Sequence, residues 1–163
     1  MLSLQFEHSS VLISFFVVES IVLVAIDNQF AGYVVIADEL KEDAKETITE
    51  LHKVGIKNIM MLSGDKDSIT QQVAKELNIE NAKGGLLPED KLNEVEILKK
   101  NPENKIAFIG DGINDAPVLA ASNVGIAMGG LGSDVAIETA DVIIQTDQPS
   151  KVVRAIKISR STR

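Results

Sequence analysis

Asp111, Asn114 and Asp115 stand together in Gly110-Asp111-Gly112-Ile113-Asn114-Asp115-Ala116-Pro117, directly after the apolar run Lys105-Ile106-Ala107-Phe108-Ile109. An apolar strand that ends in a Gly-Asp-Gly turn puts these side chains at its carboxyl end, where open α/β sheets bind ligands. Two carboxylates there suit a hard cation such as Mg²⁺, which takes oxygen ligands and leaves the remainder to water and substrate phosphates. Asp115 has a second reading, as the cap of the helix that Pro117 opens. Two further stretches offer complementary chemistry. Ser63-Gly64-Asp65 follows Ile59-Met60-Met61-Leu62, and a hydroxyl with a backbone N–H at a strand end can hold a phosphate oxygen. The same tripeptide also makes an ordinary turn. Lys91 follows Leu86-Leu87-Pro88-Glu89-Asp90. An ammonium in the first turn of a helix opposes the macrodipole, so Lys91 is better placed for a ligand than for helix stability.

Alternating elements position these groups. The spacing of apolar residues and turn formers predicts strands over 20–26 and 30–37, joined by Asp27-Asn28-Gln29. Asp38 then caps a helix that ends near Gly55, with Leu40, Ala44, Ile48, Leu51 and Val54 on one face. Strands over 56–62, 82–87, 105–109, 124–128 and 142–145 alternate with helices over 68–77, 88–100, 117–121, 133–139 and 150–159. Strand–helix alternation predicts a mostly parallel sheet with helices on both faces, preceded by a β-hairpin.

Composition narrows the function. The chain has 163 residues, enough for one α/β domain with a core, and 45% of them are hydrophobic. Aromatics make up 4%, Trp is absent and the net charge is −8, which together exclude a nucleic-acid binder built on stacking or on a basic surface. The absence of Cys excludes disulfides and thiol chemistry. Residues 147–163 carry +4, leaving −12 on the other 146. A basic closing helix on an acidic domain either faces anionic headgroups or is simply a solvated face. The apolar run 11–26 is short for a membrane span and contains Glu19, so it reads as buried strand.

Hydroxyl, ammonium and carboxylate pair on successive strand ends resemble the haloacid-dehalogenase-like phosphotransferases. MMLSGD (60–65), LLPEDK (86–91), GDGINDAPVLAASNVGIAMGGLGSDVAIETADVII (110–144) and TDQPSKVVRAIKISR (146–160) closely resemble the phosphorylation domain of P-type cation-transporting ATPases. GGLGSD and the closing helix are most similar to the zinc/cadmium/lead subgroup of heavy-metal transporters, rather than to copper exporters. The resemblance implies a three-layer Rossmannoid α/β sandwich over 38–163. It also implies a remnant hairpin of the nucleotide-binding domain over 20–37, and it leaves 1–19 unmatched. By the same resemblance Ser63 and Gly64 contact the transferred phosphoryl group and Lys91 neutralises it. Asp111 binds Mg²⁺ with Asp115 in support, Asn114 reaches the phosphate, and Asp65 and Gly112 lie at the nucleotide. The implied cofactors are Mg²⁺ and ATP, with a heavy-metal ion as the cargo of the parent transporter. The parent sits in the plasma membrane with this domain on its cytoplasmic face; the chain alone reads as soluble and cytoplasmic.

One element of that family is missing. The family's nucleophile stands in Asp-Lys-Thr-Gly-Thr, and these 163 residues contain no such motif. The chain therefore reads as a truncated phosphorylation domain that is inactive alone. Asp27 follows an apolar strand, but Gln29 and Ala31 occupy the positions where the superfamily's second Asp and its Thr or Val would stand. A soluble phosphatase using Asp27, and a non-catalytic module that pairs with a separately supplied segment, are the alternatives. A sheet without its central strand would leave costly unpaired backbone groups. Val11–Val18, apolar and of strand length, is expected to fill that slot.

Overall fold

The computed structural model describes residues 9–13, 20–26, 29–36, 40–110, 113–129 and 138–162. Eight strands and five helices are placed in them. In chain order they are β1 (Ser9–Ile13), β2 (Ser20–Ile26), β3 (Gln29–Ile36), α1 (Ala44–Lys53), β4 (Asn58–Leu62), α2 (Asp67–Leu77) and β5 (Asn81–Lys83). There follow α3 (Pro88–Lys99), β6 (Lys105–Gly110), α4 (Ala116–Ala121), β7 (Val124–Met128), β8 (Val142–Ile144) and α5 (Ser150–Ser161). Six strands form one sheet in the order β5-β4-β1-β6-β7-β8. Every neighbouring pair in it is parallel. β2 and β3 pair antiparallel as a separate hairpin, with an irregularity between Val24 and Ala25.

The central slot is filled from the N-terminal segment. Ser9–Ile13 pairs with β4 on one side and β6 on the other, with Ile13 opposite both Met61 and Ile109. The strand overlaps the expected Val11–Val18 but begins two residues earlier; 14–19 lie outside the described residues. The two added residues, Ser9 and Ser10, are polar, so a reading that starts the strand at its first apolar residue misplaces this boundary.

Strand periodicity divides the core into two layers. Ala107 and Ile109 of β6 face α1, α2 and α5, where they meet Ile48, Leu51, Val73 and Val152. Ile106 and Phe108 of the same strand face α3 and α4, among Val95, Val118 and Leu119. Side chains two apart share a face and neighbours oppose, so one apolar strand serves both layers. Full burial of a side chain such as Phe108 contributes about 1.5–3 kcal/mol.

Three of the differences in element ends from the sequence reading bear on packing and on the site. α1 starts at Ala44 with Asp43 at its cap position; the Asp38 expected there lies outside the described residues. Asp43 makes no side-chain cap to its own helix. Its carboxylate instead accepts the Ser150 N–H at the start of α5, at 3.0 Å. β4 starts at Asn58 rather than Ile56. β5 ends at Lys83 rather than Leu87, because Gly85 takes a left-handed φ of +69° and turns the chain out of the sheet. The helix expected over 133–139 falls almost wholly outside the described residues.

Candidate functional site

The carboxyl ends of β4, β1 and β6 lie at one level, fixed by the register of Ile13 with Met61 and Ile109. With neighbouring strands about 4.8 Å apart, the ends of β4 and β6 are separated by about 10 Å across β1. The sequence-predicted groups are distributed on either side of this gap. Asp111 and Gly112 lie outside the described residues, as does Asp27.

On the β4 side, Ser63 is buried and follows the strand directly. Its hydroxyl donates to Asp65 Oδ2 at 2.9 Å and accepts the Asp65 N–H at 3.1 Å. Gly64 between them is exposed. The Ser63 loop is stitched to the segment leaving β5. Ser63 N donates to Lys83 O at 2.9 Å, Leu86 N to Ser63 O at 3.0 Å and Gly85 N to Asp65 O at 2.5 Å. Gly84 N donates to Asp67 Oδ1 at 2.9 Å. That bond comes first, and one from Gln71 second, in holding the Asp67 carboxyl below its ordinary value of 3.8.

On the β6 side, Lys91 and Asp115 form a buried ion pair, with Nζ 2.9 Å from Oδ1 and side-chain exposures of 4% and 1%. Lys91 reaches it from the first turn of α3, which starts with Pro88; Asp90 Oδ2 accepts the Leu87 N–H there at 3.0 Å. Asp115 reaches it from a 3-10 turn, Ile113–Asp115, that leads into α4. The alternative role for Asp115 is thereby settled: it occupies the cap position of α4 but caps nothing with its side chain. Its carboxylate turns inward instead. The second oxygen, Oδ2, is buried and has no hydrogen-bond partner among the described residues. A Cβ on Gly110 would stand 2.8 Å from that oxygen and 2.9 Å from Asp115 Cβ. Glycine at position 110 is therefore what lets the carboxylate lie over the strand end. Asn114 is exposed on the same turn.

A buried carboxylate oxygen without a partner is costly unless something answers it. An all-oxygen donor set beside a buried lysine fits a hard divalent cation and a phosphate oxygen better than a soft metal. Among the described residues no group of three or more His, Asp or Glu gathers to hold a metal ion. Sequence reasoning gave Gly110 only a place in the Gly-Asp-Gly turn and did not single out Gly84, Asp67 or Gln71. The Gly84-Gly85 pair was a visible turn signal, but nothing local marks Asp67 as its partner 17 residues away.

A family model for haloacid dehalogenase-like hydrolases matches residues 11–123. The chain belongs to the haloacid dehalogenase-like hydrolase family. This hydrolase domain is 50% identical over 145 residues to a zinc-transporting ATPase of Synechocystis sp., covering 88% of this chain and 20% of that protein. It is 49% identical over 146 residues to a cadmium, zinc and cobalt-transporting ATPase of Bacillus subtilis, covering 88% and 21%. Among solved structures, a zinc-transporting PIB-type ATPase in the E2.Pi state superposes with a TM-score of 0.72 at 40% identity, over 88% of this chain and 23% of that one. The domain thus spans about a fifth of the length of the curated relatives it matches. No helix among its described residues is long and apolar enough to cross a membrane.

Proposed function

We propose that this hydrolase domain is the magnesium- and phosphate-holding part of the phosphorylation site of a zinc- or cadmium-exporting P-type ATPase, without that site's nucleophile. The observation that carries the reading is the buried Lys91–Asp115 pair with Asp115 Oδ2 left over, at the end of β6. Ser63 faces the same end of the sheet two strands away. In this reading Ser63 and the Gly64 backbone hold phosphate oxygens, Lys91 offsets their charge, and Asn114 reaches the phosphate. Asp111 and Asp115 hold Mg²⁺, while Asp65 and Gly112 lie toward the nucleotide. Bound there, Mg²⁺ supplies charge neutralisation on the phosphoryl oxygens. The site then acts by positioning and electrostatic stabilisation, as phosphoryl transfer requires.

The strand in the central slot ends Val11-Leu12-Ile13, and the sequence continues Ser14-Phe15-Phe16 with no carboxylate before Glu19. The domain is accordingly assigned Mg²⁺ and phosphate binding without an aspartyl-phosphate. Metal export, ATP as phosphoryl donor, and a place at the cytoplasmic face of the plasma membrane belong to the longer transporter. The similarity to zinc- and cadmium-transporting ATPases supports that parentage. Incubation with γ-labelled ATP and Mg²⁺ tests the assignment of a site without an aspartyl-phosphate. No acid-stable, hydroxylamine-labile adduct is expected, and such an adduct would overturn the assignment.

A further inference from the structure

We infer that Asp67 is a positioning residue: by fixing Gly84, its carboxylate sets the Ser63 loop against the helix that brings Lys91 to the site. The inference rests on the reading of Ser63 and Lys91 as phosphate contacts. β5 is a three-residue edge strand and cannot by itself define the path into α3. The hydrogen bonds from residues 83–86 to residues 63–67 do so. Three of the four are backbone to backbone, from Ser63 N to Lys83 O, Gly85 N to Asp65 O and Leu86 N to Ser63 O. The Gly84 N–H is the exception, and Asp67 Oδ1 takes it at 2.9 Å.

The approach is close enough to demand both residues. A Cβ on Gly84 would stand 2.5 Å from Asp67 Cα and 2.5 Å from Thr70 Oγ1. Asp67 is the first residue of α2, where a carboxylate is favoured by the helix dipole. Gln71, one turn on, donates to the same Asp67 oxygen at 3.2 Å and to Ala82 O of β5 at 2.9 Å. The carboxylate is thus oriented from its own helix and aimed at the loop. Leu86 N holds Ser63 O, and Leu87 begins the first turn that carries Lys91. Displacing Gly84 therefore moves both ends of the phosphate cradle together.

Amide spectra of the full chain test this in wild type, Asp67→Ala and Asp67→Asn. With Asp67→Ala the amides of Gly84, Leu86, Ser63 and Lys91 are expected to shift. Asp67→Asn keeps an acceptor for Gly84 N and is expected to return them close to wild type. In wild type the Gly84 amide should follow acid titration with a midpoint below 3.8. Binding of inorganic phosphate with Mg²⁺ should weaken about three- to tenfold in Asp67→Ala, the range of one net hydrogen bond, and stay within about twofold in Asp67→Asn. Shifts confined to Asp67 and Gly84, an Asn variant that behaves like Ala, or unchanged phosphate affinity in Asp67→Ala would overturn the inference. If wild type binds no phosphate while the amide pattern appears as expected, the positioning geometry stands and the phosphate reading falls.

Discussion

Lys91 Nζ lies 2.9 Å from Asp115 Oδ1, a buried contact between the first turn of α3 and the 3-10 turn before α4. It joins two segments 24 residues apart at the end of β6. Neither residue serves its own helix: an ammonium opposes the dipole of α3, and Asp115 leaves α4 without a side-chain cap.

Removing one partner of this pair strands the other in the interior. Lys91→Met is expected to lower stability by about 3–5 kcal/mol, because Asp115 is left as an uncompensated buried charge. The double variant Lys91→Met/Asp115→Leu is expected to recover most of that loss. Urea unfolding of the two single variants and the double variant checks it; simple additivity of the single losses would contradict a direct pair.

Gly110→Ala tests the packing of Asp115 over the strand end. The added methyl would stand 2.8 Å from Asp115 Oδ2. Overpacking of this kind costs about 1–3 kcal/mol, and the carboxylate must turn away. Any stabilisation by Mg²⁺ should disappear with it. A melting curve with and without Mg²⁺ reads both effects, and an unchanged Mg²⁺ response would show that Asp115 does not need that position.

Acid stability should report the tie between α1 and α5. Partial burial pushes the Asp43 carboxyl up, but the hydroxyl and N–H of Ser150, with Lys41 nearby, together hold it below its ordinary value of 3.8. A depressed carboxyl contributes stability that is present above 3.8 and is lost as pH falls through its lower folded value. Asp43→Asn should therefore reduce stability at neutral pH and flatten its decline below pH 3.8. Denaturant midpoints measured from neutral to acid pH check the sign.

β1 should behave as an interior strand. Paired on both sides from Ser10 to Ile13, it is expected to exchange its amide hydrogens nearly as slowly as β6. Rapid exchange throughout β1 in a folded sample would remove the strand from the central slot.

The layered α/β fold was legible because its strands and helices carry different apolar periods. Ile106 to Ile109 alternate between two layers, and Ile48, Leu51, Val73 and Leu77 recur at helical spacing. The need for a central strand followed from the family resemblance, whose nucleophile-bearing strand has no counterpart motif in these residues. Its start was not legible, because the strand opens with two polar residues, Ser9 and Ser10, ahead of the apolar run. At the site, Ser63, Lys91 and Asp115 were readable from their types and spacing, but the contact between Lys91 and Asp115 was not. A cap and an ion pair both place an Asp before a helix, and only the distance to Lys91 separates them. Asp67 and Gly84 escaped notice because their contact depends on the turn after β5, which ended the strand four residues earlier than its apolar residues suggested.

Titration calorimetry of inorganic phosphate into the chain, with and without Mg²⁺, reads the phosphate site itself. Saturable phosphate binding that requires Mg²⁺ is expected, and it should be lost in Asp115→Asn and in Ser63→Ala. Absence of binding in wild type, or binding that is indifferent to Mg²⁺ and to both substitutions, would contradict this reading of the site.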